Sequence, residues 1–312
     1  MSTVVIAVGG NAVLTEGERG THEQQLANMA GLATVLSDLV RDGHRVVLTH
    51  GNGPQVGNLA IQQEEGAGLV PPQPLFVLGA MTQGQVGHLI TAALCGGRDA
   101  GKRPVATIVT HTLVDRSDPA FHRPTKPIGP FYPRQEAERL ARERHWHVVE
   151  DAGRGWRRVV PSPRPLEVLE LEAVRTLLKS GQLVVAVGGG GIPVVRRDRA
   201  IDGIDAVIDK DHASALLAVG LGAERLVLLT QVPGVYRDFG GDGGRGEPIA
   251  ELSPERDAAL AEELPAGSMR PKVEAAFAFV AQTGGEALIT SAEAVRNGEA
   301  GTRVRLEPPD EA

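Results

Sequence analysis

Val4-Val-Ile-Ala-Val8, followed at once by Gly9-Gly10-Asn11, is the stretch on which the fold turns. Five apolar residues without polar alternation read as a strand buried on both faces, the usual form in a parallel sheet. The pattern returns at Arg45-Val-Val-Leu-Thr49, Val105-Ala-Thr-Ile-Val109, Leu183-Val-Val-Ala-Val187, Arg225-Leu-Val-Leu-Leu229 and Ala287-Leu-Ile-Thr290. Helical patterns fall between these runs, at 23–42, 82–94, 167–180, 211–219 and 272–283. Gly43 and Gly181 stand where the first and third of these helices should stop. Strands alternating with helices predict an α/β fold, an open and mainly parallel sheet sandwiched by helices. Such sheets bind ligands beyond the carboxyl ends of their strands.

The chain has 312 residues, 42% hydrophobic and 23% charged, enough for one large domain or two lobes. A net charge of −7 argues against nucleic acid or an anionic membrane as partner, since both call for a basic face. No leader pattern opens the sequence, and no apolar run reaches the length that spans a bilayer. A single cysteine, Cys95, excludes a disulfide framework and any CxxC metal site. Its apolar neighbours 89–94 predict a buried thiol acting as a small hydrophobe. A cytoplasmic protein is the expectation.

Residues 115–160 break the rhythm. Phe121, Phe131, Tyr132, Trp146 and Trp156 lie here, half of the aromatic residues of the chain, among many Pro and Arg. The stretch reads as an inserted subdomain that protrudes over the site. The loop 239–246 reads as an excursion without function, and the tail after Leu306 as frayed.

Glycines mark the ends of three strands: Gly9-Gly10-Asn11, Gly51-Asn52-Gly53 and Gly188-Gly-Gly-Gly191. Glycine lets a backbone approach an anion and turn its N–H groups toward it. A helix that starts just after adds its positive end. The familiar nucleotide patterns are missing: there is no GxxxxGK[ST], and Gly51-x-Gly53-x-x-x-Gly57 departs from GxGxxG by one residue. No HExxH or GxSxG occurs either. His50 is a candidate base, with a hydrogen bond to a loop carbonyl as its more ordinary role.

The basic residues carry a second signal. Only five of the 32 are Lys, namely Lys102, Lys126, Lys179, Lys210 and Lys272. Three of these stand in unusual settings: Pro124-Thr-Lys-Pro-Ile-Gly-Pro130, Ile208-Asp-Lys-Asp-His212 and Ser268-Met-Arg-Pro-Lys272. Lys is a compact charge on a flexible stem, suited to following a moving phosphoryl group. Asp211 stands near a helix N-terminus, where a carboxylate could hold two ammonium groups without touching substrate. Phosphoryl transfer needs aligned reactants and neutralised charge more than covalent help.

These stretches, with Arg158-Val-Val-Pro-Ser-Pro163 and Ala206-Val-Ile-Asp-Lys-Asp211, give a closer match. From about residue 3 to 305 the chain resembles carbamate kinase, a branch of the amino acid kinase superfamily. Thr49-His-Gly-Asn-Gly-Pro-Gln-Val-Gly57 and Pro124-Thr-Lys-Pro-Ile-Gly-Pro130 are the most specific motifs. The resemblance implies a phosphotransferase of arginine metabolism, exchanging a phosphoryl group between ATP and carbamate to give carbamoyl phosphate and ADP. Such enzymes often run toward ATP synthesis. Residues 1–220 would form the lobe for carbamate and the phosphoryl group, and 221–312 the nucleotide lobe. Gly9, Gly10, Asn11, Gly51 and Asn52 would cradle the phosphoryl and carbamate end. Lys210 and Lys272 would bridge the phosphates, with Asp211 orienting both. Lys126 would reach down from the protruding subdomain. Gly189, Gly190, Thr230, Tyr236 and Met269, with Lys272, would line the nucleotide pocket. Mg²⁺ would arrive on ATP or ADP, with no protein ligand of its own. Members of the branch are homodimers.

Two departures stand out. Arg270 replaces a more usual Gly before Pro-Lys, either to support phosphate binding or to point to solvent. Gln231-Val-Pro233 replaces a more acidic stretch. Two rival readings remain: a kinase of the same fold acting on another small carboxylate or phosphonate, and a non-catalytic nucleotide sensor. A roomier pocket near Lys126 would favour the first rival. Degenerate phosphate groups would mark the second.

Overall fold

Strand Thr3–Val8 lies inside an eight-stranded sheet, with Arg225–Thr230 on one side and Arg45–His50 on the other. This computed structural model describes residues 2–9, 13–14, 17–41, 43–96, 103–151, 153–237, 246–265, 267–297 and 301–307. Across the sheet the order is Glu251–Leu252, Thr302–Val304, Glu286–Ser291, Arg225–Thr230, Thr3–Val8, Arg45–His50, Leu183–Val185 and Val105–Thr107. The six strands from Glu286–Ser291 to Val105–Thr107 run parallel; Thr302–Val304 pairs antiparallel with Glu286–Ser291, and Glu251–Leu252 lies parallel to Thr302–Val304 at the edge.

The period of two along each strand divides the core. Val5, Ala7, Val47, Val184, Leu226 and Leu228 face helices Leu171–Lys179, Lys210–Leu221 and Arg270–Thr283. Val4, Ile6, Val46, Leu48, Val185 and Val227 face helices His22–Arg41 and Leu75–Cys95, through Met29, Val86, Leu89 and Ile90. Both faces are therefore buried, which is why the strands read as unbroken apolar runs.

Smaller sheets are built beside this body. Residues Ala200–Gly203, Ile192–Arg197, His111–Val114 and Pro165–Val168 form a four-stranded sheet. Within 115–160, strands Lys126–Tyr132, Trp156–Val160 and His147–Glu150 make an antiparallel sheet with helix Arg134–Arg144. That sheet lies against helix Gly53–Gly66. The approach is close: a Cβ on Gly57 would fall 2.0 Å from the Gly129 backbone.

Several sequence expectations need revision. The helix expected over 82–94 begins at Leu75, because Pro74 ends the preceding turn and supplies an extended first flank. The helix expected over 167–180 begins at Leu171, since Pro165–Val168 pairs as an edge strand. Helix Gly53–Gly66 is masked in sequence by its glycines, but Pro54 sits in its first turn, where no amide is missed. Cys95 is exposed, not buried: it ends its helix on the solvent side, while Ala93 takes the inward position. Residues 238–245 of the glycine-rich loop lie outside the described residues.

Candidate active site

The loops that follow Thr3–Val8, Arg45–His50 and Leu183–Val185 open at one end of the sheet. Backbone bonds join them, from Gly51 N–H to Val8 O at 2.9 Å and from Ala186 N–H to Leu48 O at 2.9 Å. Gly51 and Asn52 lead into helix Gly53–Gly66, whose N-terminal amides face this end. The loop 188–191 leads instead into strand Ile192–Arg197, so no helix end stands behind it. Its glycines are there for contact. Gly189 has φ +63°, and a Cβ on it would lie 2.2 Å from Asn52 Nδ2. A Cβ on Gly188 would lie 2.3 Å from His50 Nε2, and one on Gly190 2.6 Å from Ile208 O. Gly10 and Asn11 lie outside the described residues, and Gly9 keeps its place at the end of the first strand.

Lys210 opens helix Lys210–Leu221, and Lys272 lies in the first turn of helix Arg270–Thr283. Pro271 suits the second helix for its start, and Gly284, at φ +65°, ends it. Both helices present their positive ends here. Between them stands Asp211. Its Oδ1 accepts from Lys210 Nζ, and its Oδ2 from Lys272 Nζ at 3.1 Å. Lys210 and Asp211 are only 7% and 3% exposed, so this charge cluster is cut off from bulk water. Burial lowers the Lys210 pKa, and the neighbouring Lys272 adds to this, while Asp211 opposes it. Burial would raise Asp211, but the two ammonium groups hold its carboxyl below the ordinary range.

Asp209 stands one step before the helix. Its Oδ1 accepts from Asp211 N–H at 2.8 Å, an N-cap, and its Oδ2 accepts from Lys126 Nζ at 2.6 Å. Lys126 therefore reaches from the small antiparallel sheet onto the end of the helix that carries Lys210. A further chain runs from Thr49 Oγ1 to Ser214 Oγ at 2.6 Å and from Ser214 Oγ to Lys210 O at 2.5 Å. It fixes the second strand to the Lys210 turn.

His50 bonds through Nδ1 to the Gly51 carbonyl at 3.0 Å, the ordinary role weighed for it. Burial is the main cause that lowers its pKa to about 4, with Lys210 contributing. The ring is neutral at physiological pH, with the Nδ1–H donating. Asn52 donates to Thr82 Oγ1 at 2.8 Å. The arrangement gathers cationic tips, three helix N-termini and glycine-lined amides at one place. It can hold two anions together and steady a phosphoryl group passing between them.

The sequence pattern of the amino acid kinase family matches residues 2–291. A carbamate kinase of Thermococcus kodakarensis is 44% identical over 315 positions, covering 98% of this chain and all of that protein. The structure of the Giardia lamblia carbamate kinase bound to citric acid superposes with a TM-score of 0.90 at 41% identity, covering 98% of this chain and 99% of that one. The same enzyme bound to AMP-PNP superposes with a TM-score of 0.83 at 42% identity, with the same coverage. The chain belongs to the carbamate kinases of the amino acid kinase family.

As a member of this family the chain is a phosphotransferase. The positions expected to line its nucleotide pocket lie on several elements. Thr230 ends the strand beside Thr3–Val8, Tyr236 lies in the short strand Val235–Tyr236, and Met269 immediately precedes helix Arg270–Thr283, packed against the core. Gly190 lies on the loop that borders Asn52. Gln231 is exposed.

Arg270 does neither of the things its position suggested. Its guanidinium turns back and donates to the carbonyls of Leu264, at 3.1 Å, and Glu262. These belong to the end of helix Ala258–Glu263, where carbonyls lack helical partners. It ties that short helix to the Lys272 helix.

Sequence reasoning missed three groups. Asp209 was hidden beside its more conspicuous neighbour Asp211, although an Asp just before a helix is a capping signal. Gln83, on the helix beneath the glycine loop, joins Thr110 by three bonds, donating to its carbonyl at 3.0 Å and accepting from its amide at 2.8 Å and its hydroxyl at 3.3 Å. Glu64 meets Arg144, Arg158 and Trp146 from positions 80, 94 and 82 residues away, a convergence that no local pattern reveals.

An open groove of about 780 Å³ lies elsewhere, lined by Gly222, Glu224, Gly284 and Arg305 among others. It meets the C-terminal ends of the two lysine helices. Helix ends of that kind present carbonyls, the wrong polarity for phosphate.

Proposed function

We propose that this chain transfers a phosphoryl group reversibly between ATP and carbamate, giving carbamoyl phosphate and ADP. The observation that carries the reading is Asp211, one buried carboxylate holding Lys210 and Lys272 from the N-termini of two helices. An oxygen of carbamate attacks the terminal phosphorus while the bond to the bridging oxygen of ATP breaks. Both the attacking and leaving groups are anions, so no proton has to move. A neutral His50 turned to the Gly51 carbonyl fits this, because no base is required.

In this reading Lys210 and Lys272 sit on either side of the moving group and neutralise its oxygens. Asp211 keeps their spacing. Gly9, Gly10, Asn11, Gly51 and Asn52 supply the cradle. Lys126 closes on the carbamate end. Gly189, Gly190, Thr230, Tyr236 and Met269 border the nucleotide. Mg²⁺ would arrive on the phosphates of the nucleotide and would neutralise part of their charge. The fit supports this, since the two carboxylates at the site, Asp209 and Asp211, are already engaged by lysines. We read the working form as a homodimer and the compartment as cytoplasmic. No described helix is long and apolar enough to cross a membrane.

The test is ATP formation from ADP with carbamoyl phosphate, run beside acetyl phosphate. Rapid ATP formation with the first and little with the second is expected. Equal rates would assign the chain to a broader class of acyl phosphates, and no ATP from either would overturn the reading.

A further inference from the structure

The two oxygens of Asp209 do different work. Oδ1 caps the helix that carries Lys210 and Asp211, and Oδ2 takes the ammonium of Lys126 from the small sheet. Lys126 begins strand Lys126–Tyr132, paired through Val160 to strand Trp156–Val160. That sheet is also held to helix Gly53–Gly66, where Glu64 takes Arg144 and Arg158. The Glu64 tie fixes the sheet to a helix that carries no phosphate lysine. The Asp209 tie fixes it to one that does.

We propose that Asp209 is a positioning residue that places Lys126 over the phosphoryl site before substrate arrives, and couples the covering sheet to the Lys210 helix through one carboxylate. The inference rests on the phosphoryl-transfer reading above. An ammonium has three N–H donors, so one can stay on Asp209 while another meets a substrate oxygen. Holding the side chain in place beforehand removes much of the ordering cost of substrate binding. The local electrostatics agree. Burial would raise Asp209, but Lys126, with His212 and Lys210 nearby, holds it well below the carboxylate range. Burial likewise opposes the charge on Lys126, and Asp209 more than offsets this.

The chemistry of asparagine separates the two roles. Its amide has one acceptor oxygen. If that oxygen keeps the cap, the NH₂ faces Lys126 and cannot hold it. Asp209→Asn should therefore leave the helix intact and release the lysine. The experiment is hydrogen exchange on the free full-length protein, for the parent, Asp209→Asn, Lys126→Met and the double variant. Exchange across 126–132 and 156–160 is expected to rise on the order of tenfold in Asp209→Asn and equally in Lys126→Met, with no further rise in the double variant. Exchange across 210–221 should stay as in the parent in Asp209→Asn. The KM for carbamoyl phosphate in Asp209→Asn should rise roughly tenfold, with kcat changing less than about threefold.

Parent-like exchange of the covering sheet in Asp209→Asn would overturn the inference. So would additive loosening in the double variant, or faster exchange confined to 210–221. If Asp209→Asn does not fold, Lys126→Met decides alone: faster exchange of the sheet supports the inference, and unchanged exchange overturns it. The exchange measurement uses no substrate. It therefore stays readable if the chain makes no ATP from carbamoyl phosphate, and active enzyme with a parent-like sheet would sink this inference only.

Discussion

Asp211 and Lys272 lie 61 positions apart in sequence and 3.1 Å apart in space, carboxylate Oδ2 to Nζ. The contact joins the starts of two helices that pack on the same face of the sheet. Since Lys210 takes the other oxygen, the spacing between the two ammonium groups is set by one side chain. A site that must grip a phosphoryl group from two sides needs that spacing fixed before substrate enters.

Removing either lysine should therefore slow the chemical step. Lys210→Ala and Lys272→Ala are each expected to lower turnover by on the order of 10²-fold or more. Asp211→Ala should add a stability loss, because it leaves Lys210 buried without its carboxylate, at a cost of about 3–5 kcal/mol. Steady-state rates and denaturant melts measure the two effects separately. A lysine variant with near-parent turnover would remove that lysine from the mechanism.

The glycine loop makes a sharper steric test. A methyl on Gly189 would lie 2.2 Å from Asn52 Nδ2 and would also have to adopt φ +63°. Gly181 has φ +84° with nothing within 4 Å. Gly181→Ala should thus cost about 1 kcal/mol, for backbone strain alone. Gly189→Ala should cost about 2–4 kcal/mol and displace Asn52 from Thr82, lowering activity as well. Equal melts and equal rates for the two variants would show that the packing against Asn52 does not matter.

The sequence carried most of this arrangement for a physical reason. Strands buried on both faces must be apolar throughout, so Val4 to Val8 could be read without a structure. Glycines at strand ends and lysines in an Arg-rich chain also announce themselves. What stayed hidden was of two kinds. Asp209 and Glu64 act through partners brought close only by the fold, 83 residues away for Lys126 and 94 for Arg158. The Arg270 contacts stayed hidden because its local neighbours read as phosphate-site residues, while its side chain leaves them for the carbonyls of Glu262 and Leu264. The helix 53–66 was missed because glycine and proline in its first turn mask its periodicity, although they suit a helix start.

The small antiparallel sheet offers a prediction through Glu64. Its carboxylate accepts from Arg158 at 3.0 Å and from Trp146 Nε1 at 3.2 Å, and pairs with Arg144. The Arg158 guanidinium also lies 4.9 Å from the centre of the Trp146 ring. Glu64→Ala leaves two guanidinium groups and an indole N–H without this partner. A stability loss of about 1–3 kcal/mol is expected, together with faster hydrogen exchange over 147–160. Trp146 fluorescence should shift as the indole loses its contact. Parent-like exchange and fluorescence would mean that the Gly57–Gly129 backbone approach and the Asp209–Lys126 contact hold the sheet without Glu64.

His50 gives a pH-dependent outcome whose sign can be worked out. Its pKa is about 4 in the folded protein, lowered chiefly by burial, against an ordinary value of 6.5. Between those values the unfolded chain binds a proton that the folded chain does not. Its stabilising share is therefore complete above about pH 6.5 and is lost as pH falls toward 4, by on the order of 3 kcal/mol. Carboxylates held low by lysines lose stability on acidification too, so the histidine must be isolated by substitution. His50→Gln keeps a side-chain N–H that can reach the Gly51 carbonyl and removes the titration. Urea melts at pH 7 and pH 4.5 should show a smaller acid loss in His50→Gln than in the parent. In the same interval the rate profile should lack an inflection near 6.5 from this ring. An inflection there that vanished in His50→Gln would make His50 a proton carrier and contradict its neutral, carbonyl-bonded role.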